Sequence, residues 1–112
     1  MNKFEVWLAD LNPKIGTEPG KTRPVVVVQT DMLNEAGHPS TIICPFTTNV
    51  NPGAEILRIH VNKGIAGITE SSDIMLDQIR AIDNRRLIRK IGFLPKPGQQ
   101  LLQNNLRILL DL

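Results

Sequence analysis

The chain has 112 residues, of which 41% are hydrophobic and 21% charged, and its formal net charge is +2. This length allows one core and one domain, residues 1–112, and the balance of apolar and charged residues is typical of a folded soluble protein and not of a disordered chain. The one cysteine, Cys44, excludes an intrachain disulfide and is expected in the core. Because no apolar run can span a bilayer and the amino terminus lacks an apolar signal sequence, we expect a cytoplasmic protein without a membrane partner.

Short runs rich in valine and isoleucine, bounded by Gly, Pro, Asn or Asp, predict β-strands along most of the chain. The unbroken valines of the second run indicate a central strand covered on both faces, and the less regular fourth run indicates a wetter edge. In chain order the predicted strands are 4–9, 24–30, 40–46, 55–61, 73–82 with a break near Asp77, and 87–94.

Two helices complete the predicted elements. A helical turn is predicted over 31–37, with Asp31 as its cap and Gly37 at its end. After the sequence PKPG, leucines three and four residues apart predict an amphipathic helix from about 98 to 111. These elements predict a mainly β fold with some α structure, a small twisted antiparallel sheet or half-open barrel closed on one side by the C-terminal helix.

Three groups of polar residues lie where predicted strands begin, end or break. Arg23 precedes the valine strand, and Thr47 follows the strand 40–46. If these two strands pair antiparallel, the start of one meets the end of the other, which brings Arg23 near Thr47. The three groups are Glu18 with Arg23, Thr47 with Thr48, and Asp77 with Gln78 and Arg80.

This set of side chains is suited to chemistry on a phosphodiester. An arginine presents a planar fork of donors to a phosphate, a threonine hydroxyl adds a donor, and a carboxylate such as Glu18 can take a proton. RNA carries its own nucleophile, the 2′-hydroxyl, so such a trio can cleave RNA without a metal ion. The basic run from Arg85 to Lys90 can meet a polyanion, although a solvated face is the commoner meaning of such a run.

No metal or cofactor site is predicted. His38 and His60 lie far apart, and we interpret both as surface residues. The sequence contains no HExxH or CxxC spacing, no P-loop and no dinucleotide fingerprint.

Three segments together resemble the MazF/PemK family of toxin endoribonucleases: GTEPGKTRPVVVVQTD, CPFTTNV and LDQIRAID. Their order and spacing match the family across nearly the full chain. The resemblance implies a CcdB/PemK-like fold, an SH3-like half-open barrel with a C-terminal helix, and a homodimer whose groove holds single-stranded RNA. It also implies a type II toxin–antitoxin system, whose antitoxin we expect to be acidic and partly disordered.

Carried over residue by residue, the resemblance makes Arg23 the catalytic arginine, Thr47 the catalytic threonine and Glu18 the base. It implies a 2′,3′-cyclic phosphate and a 5′-hydroxyl as products. Thr17 and Met75 stand where PemK-type members carry a histidine and an arginine, so the site is closer to the MazF side of the family. The further predicted substrate contacts are Thr17, Lys21, Thr48, Asp77, Gln78 and Arg80.

Other functions stay open at this stage. A CcdB-like toxin of the same fold poisons a topoisomerase through a Trp-Gly-Ile tail, whereas this chain ends ILLDL. An SH3-like module binds peptides through aromatic side chains, of which this chain has four. A catalytically silent homologue would use the same residues structurally, with Arg23 paired to Asp77 and Thr47 as a turn residue.

Overall fold

The computed structural model describes every residue from Met1 to Leu112 and has the predicted mainly β architecture. Two short 3-10 turns, Leu76–Gln78 and Asn84–Arg86, accompany the main elements. The strands are β1 (Glu5–Asp10), β2 (Thr22–Val27), β3 (Ser40–Thr47), β4 (Arg58–Val61), β5 (Ser72–Met75), β6 (Arg80–Asp83) and β7 (Leu87–Phe93), and the helices are α1 (Asp31–Glu35) and α2 (Lys96–Leu110).

All strand pairs are antiparallel, in the order β4–β5–β3–β2–β1–β7, and β6 also pairs with β3. Consecutive valines of β2 face two different cores, because side chains alternate across a strand. Val26 packs in a larger cluster with Phe46 and with Leu102 of α2, whereas Val25 and Val27 pack in a second cluster. The unbroken valines therefore belong to a central strand buried on both faces, as predicted.

The segment between β4 and β5 packs closely against β7. Gly67 has a φ of +79°, and a Cβ built on it would lie 1.9 Å from the carbonyl oxygen of Ile91. A Cβ on Gly92 would likewise lie 2.5 Å from the carbonyl carbon of Ala66. Both positions must be glycine for the two backbones to come this close.

Two predicted strands differ from the structure by more than one residue at an end. The strand predicted over 24–30 runs over Thr22–Val27, so the prediction of strand over 28–30 is wrong. The predicted strand 73–82 does break near Asp77, where the turn Leu76–Gln78 separates β5 from β6. The prediction of strand over 55–57 is wrong, because the chain turns there and the Arg58 amide donates to the Ala54 carbonyl at 3.0 Å. The edge strand β4 begins only at Arg58.

Both helices are present, with small differences from the prediction. Thr30, not Asp31, caps α1: its hydroxyl accepts from the Met32 amide, whereas Asp31 accepts from the Lys3 amide at 2.7 Å. Gly37 follows the end of α1 with a φ of +72°, as predicted. Helix α2 begins two residues early, at Lys96. Neither helix combines the length and apolarity that a membrane span requires.

Candidate active site

A polar cavity of about 400 Å³ opens where β2 begins and β3 ends. The register that pairs Val25 with Pro45 brings Arg23 level with Thr47, as the expected antiparallel pairing predicted. The lining combines four predicted site residues with neighbours that sequence reasoning missed. It consists of Lys21, Thr22, Arg23, Pro24, Phe46, Thr47, Thr48, Asn49 and Ser72.

Arg23 is held in place by backbone carbonyls alone. Its Nε donates to the Gly20 carbonyl at 2.7 Å, and its Nη1 donates to the Phe46 carbonyl at 3.1 Å. It takes part in none of the salt bridges, so the alternative Arg23–Asp77 pair does not form. Burial lowers the pKa of Arg23, but an arginine stays protonated at neutral pH. The Nη2 donors have no protein partner, and no carboxylate neutralises the guanidinium charge, so both are available to a ligand.

The loop between β1 and β2 is fixed at both ends, which holds the approach to Arg23. The Leu11 amide donates to the Lys21 carbonyl at 2.8 Å, and the Lys21 amide donates to Asn12 Oδ1 at 2.9 Å. Lys21 has a φ of +69°, which is uncommon for a residue other than glycine. Arg86 donates to the carbonyls of Asp10 and Asn12, so this member of the basic run supports the loop.

Thr47 has a structural bond and a free donor at the same time. Its Oγ1 accepts from the Asn49 amide at 3.1 Å, so Thr47 does end its strand as a turn residue. A hydroxyl that accepts one hydrogen bond still has its own proton to donate. Thr48 and Asn49 follow with exposed side chains. Turn role and substrate contact are therefore compatible at Thr47.

The structure places a second pair of predicted residues apart from this cavity. Glu18 Oε2 lies 4.0 Å from Arg80 Nη1, and this buried nitrogen has no hydrogen-bond partner. Arg80 pairs with Ile43 of β3, four residues before Thr47 and on the same face. At about 3.3 Å per residue, the backbones of Ile43 and Thr47 are roughly 13 Å apart along β3.

The remaining predicted residues also lie outside the cavity lining. Thr17 is exposed on the loop, and the turn after β5 carries Asp77, which is exposed, and Gln78, which is half-buried. Burial, together with the negative charge of Asp77, raises the pKa of the Cys44 thiol to about 12. Cys44 is fully buried in the larger core cluster, as expected, and is not a nucleophile for this site.

No group of three or more His, Cys, Asp or Glu side chains is arranged to hold a metal ion. His60 lies on the edge strand β4 and bonds to Asp73 Oδ1 through Nδ1 at 3.0 Å. Sequence reasoning also missed Asp73, a carboxylate between Ser72 and Ile74 of β5 that is only 2% exposed. Asn49 and Ser72 were missed because neither belongs to a motif: Asn49 follows the Thr47–Thr48 pair, and Ser72 precedes the predicted strand 73–82.

Fold and site together define a small half-open barrel whose polar cavity contains a cation with no carboxylate partner. The family model for PemK-like, MazF-like toxins of type II toxin–antitoxin systems matches residues 2–110. The chain therefore belongs to the PemK/MazF toxin family.

Individual relatives agree with this assignment. The chain is 35% identical to an "Endoribonuclease MazF" of Staphylococcus epidermidis, over all of this chain and 92% of the relative. Its fold is similar to MazF from Deinococcus radiodurans, with a TM-score of 0.83 at 19% identity, covering 100% of this chain and 97% of the other. It is also similar to a mycobacterial endoribonuclease in complex with its cognate antitoxin, with a TM-score of 0.80 at 14% identity, covering 100% and 96%. The expected CcdB/PemK-like fold is confirmed.

Proposed function

We propose that this protein is a toxin endoribonuclease that cleaves single-stranded RNA, without a metal ion, at the cavity between β2 and β3. Family membership and the 35% identical relative support the endoribonuclease activity. The observation that carries the mechanism is the Arg23 guanidinium, which is fixed by two carbonyls and has no carboxylate partner. The family assignment favours this function over a topoisomerase poison or a peptide-binding module.

The reaction is a transesterification within the RNA backbone. The 2′-oxygen bonds to phosphorus and loses its proton, the bond from phosphorus to the 5′-oxygen breaks, and the leaving oxygen takes up a proton. Arg23 Nη2 stabilises the charge that grows on the phosphoryl oxygens, and the Thr47 hydroxyl donates to a nonbridging oxygen. Lys21 and Thr48 line the same cavity; Lys21 contacts the backbone of the RNA, and Thr48 also contacts the substrate. The products are a 2′,3′-cyclic phosphate and a 5′-hydroxyl.

Glu18, or a water molecule that it orders, is our proposed general base. The loop carries this carboxylate to Arg80, and its side chain is 41% exposed and accessible to RNA. Catalytic contacts often shorten only when substrate is bound, so the separation of Glu18 from the cavity is compatible with this role. Arg80, whose side chain is 25% exposed beside Glu18, is proposed to bind a neighbouring phosphate together with Gln78, Thr17 and Asp77.

The test is cleavage of a long unstructured RNA by the purified protein in EDTA, followed by mapping of the new 5′ ends. We expect cleavage at a limited set of sequences, with 5′-hydroxyl ends. The Arg23→Ala protein, purified in parallel, controls for contaminating ribonucleases. Complete loss of activity in EDTA, restored by Mg²⁺, would refute the metal-independent mechanism.

We further propose that an acidic, partly disordered antitoxin covers the cavity and competes with RNA. A segment that folds on binding can cover a large surface, and Lys21 and Arg23 offer it positive charge. The mycobacterial neighbour is itself an endoribonuclease solved with its cognate antitoxin. Unchanged RNA cleavage in the presence of a bound antitoxin would contradict the overlap of the two sites.

Residues 1–112 act as one toxin domain in this proposal, and two copies form a homodimer in the cytoplasm, where cellular RNA is found. Strand β7 is at one end of the sheet, and its Ile88 and Phe93 side chains are 54% and 63% exposed. An uncovered apolar edge favours association with a second copy. A monomer at micromolar concentration in sedimentation experiments would contradict the dimer.

A further inference from the structure

A second polar cluster adjoins the active-site cavity through the segment Thr48–Asn51, because Thr48 and Asn49 line the first cavity and Val50 and Asn51 line the second. Its centre is Asp73 of β5, which is 2% exposed and lines a separate cavity of about 230 Å³. Arg58 and His60 of the edge strand β4 line the same cavity. None of these three residues contributes to the active-site lining.

Each oxygen of the Asp73 carboxylate has a partner. Oδ2 accepts from the Asn51 amide at 2.8 Å and from Arg58 Nη1 at 3.3 Å, and Oδ1 bonds to His60 Nδ1 at 3.0 Å. Burial alone would raise the pKa of Asp73, but the Asn51, His60 and Arg58 interactions outweigh it and lower the pKa below its ordinary value. The carboxylate is therefore present as a buried, paired anion.

The same groups hold the backbone of the cavity wall. Arg58 Nη1 donates to the Asn49 carbonyl at 3.1 Å as well as to Asp73. Asp73 in turn accepts the Asn51 amide, two residues further along. The backbone from Asn49 to Asn51 is thus held at both ends by hydrogen bonds. Asp73, which holds one end, belongs to β5 and pairs with Thr47 in the sheet.

The fixed segment contributes polar side chains to the active-site cavity. Thr48 and Asn49 line the active-site cavity and are exposed. An asparagine amide has both a donor and an acceptor, which match the edges of unpaired bases. Sequence-specific recognition of single-stranded RNA is stronger when such contacts are held in one geometry, because ordering a mobile side chain on binding costs free energy.

We propose that the Arg58–Asp73 pair positions the segment Thr48–Asn51, so that Thr48 and Asn49 determine which RNA sequence is cleaved. Arg58 and Asp73 are positioning residues. The segment that they hold binds the bases that flank the scissile phosphate. This inference rests on the proposed endoribonuclease function and adds a source for its sequence preference.

The test compares Arg58→Met with wild type and with Arg107→Met, a matched loss of one arginine on the exposed surface of α2. Methionine keeps much of the Arg58 stem, which is half-buried, and removes the guanidinium. We expect faster hydrogen exchange at the Asn51 amide, and about a tenfold higher KM with little change in kcat. Mapped 5′ ends should show a relaxed set of cleaved sequences, whereas Arg107→Met should match wild type in all three measurements.

Two substitutions of Asp73 separate positioning from folding. Asp73→Asn keeps an oxygen for the Asn51 amide and should largely preserve the cleavage pattern, whereas Asp73→Ala should relax it as Arg58→Met does. If wild type cleaves RNA and folded Arg58→Met cleaves the same sequences with the same KM, the inference is wrong and the proposed function stands. If wild type does not cleave RNA, the proposed function fails, and Asn51 exchange still reports whether Arg58 and Asp73 hold the segment.

Discussion

Arg23 lines the active-site cavity with Thr48 and Asn49, Arg58 lines the second cavity with Val50 and Asn51, and the partners of the two arginines differ. Arg58 donates to the buried Asp73 carboxylate and to the Asn49 carbonyl. Arg23 donates to the carbonyls of Gly20 and Phe46 only. An arginine whose charge is neutralised by a buried carboxylate stabilises the protein's own geometry, whereas one held by neutral carbonyls retains its charge for an anion. The comparison assigns Arg58 to positioning and Arg23 to the phosphate.

The largest effect is expected for Arg23. Arg23→Ala should lower kcat/KM for RNA by roughly a hundredfold or more, the scale for losing one preorganised electrostatic donor. Arg23→Lys should restore little, because an ammonium group does not reproduce the planar fork. Cleavage of a defined RNA oligonucleotide measures both variants.

Thermal unfolding is the control for Arg23. Two carbonyls lose a partner in Arg23→Ala, so we expect destabilisation of only about 1–2 kcal/mol. A sharp fall in melting temperature, combined with full activity of the remaining folded protein, would show that Arg23 has a structural role. Arg23 and Arg58 would then both act by stabilising the protein's own geometry.

The general base is tested by a matched pair of substitutions, Glu18→Gln and Asp77→Asn. Each removes one carboxylate charge with little change in shape. Loss of a general base costs about a hundredfold or more, so Glu18→Gln should reduce kcat by that scale and Asp77→Asn should not. The opposite order, measured as kcat at saturating RNA, would move the base from the loop to the turn after β5.

A smaller effect is expected at Thr47. Thr47→Val removes the hydroxyl and keeps the shape, and it should lower kcat/KM by about tenfold, as expected for one hydrogen bond to a charged group. Thr47→Ser keeps the hydroxyl and should retain most of the activity. Equal activity of the valine and serine variants would contradict a catalytic contact between the Thr47 hydroxyl and the RNA.

The smallest effect concerns stability and pH at Asp73. The pKa of Asp73 is lowered in the folded state, so its contribution to stability is present above its ordinary pKa of about 3.9 and is lost as pH falls through the lower folded value. Asp73→Asn should be less stable by about 2 kcal/mol at pH 7 and should lose less on acidification than wild type. Urea unfolding at pH 7, 4 and 3 measures this, and parallel pH profiles would contradict it.

Local sequence pattern was sufficient to predict the central strand of the sheet and the proximity of Arg23 and Thr47 at the cavity. The run of valines predicted a strand buried on both faces, and the antiparallel pairing of this strand with 40–46 placed Arg23 beside Thr47. These features follow from side-chain period and strand direction, which a sequence shows directly.

Features that depend on how a loop folds back could not be predicted in the same way. Sequence grouped Glu18 with Arg23, and the folded loop places the Glu18 carboxylate 4.0 Å from Arg80 Nη1 and outside the cavity lining. Asp73 has the appearance of an ordinary strand-edge residue, and its burial depends on Asn51 and Arg58 meeting it from other parts of the chain. Long-range contacts of single side chains have no periodic signal in the sequence.

The central claim is that RNA supplies the nucleophile and Arg23 stabilises the charge that its attack creates. The most direct test uses an RNA oligonucleotide containing a mapped cleavage site and a copy with one 2′-deoxy nucleotide on the 5′ side of the scissile phosphate. The account predicts that wild type binds both with similar affinity and cleaves only the fully ribose copy, leaving a 2′,3′-cyclic phosphate. Cleavage of the deoxy copy at the same phosphate would contradict it.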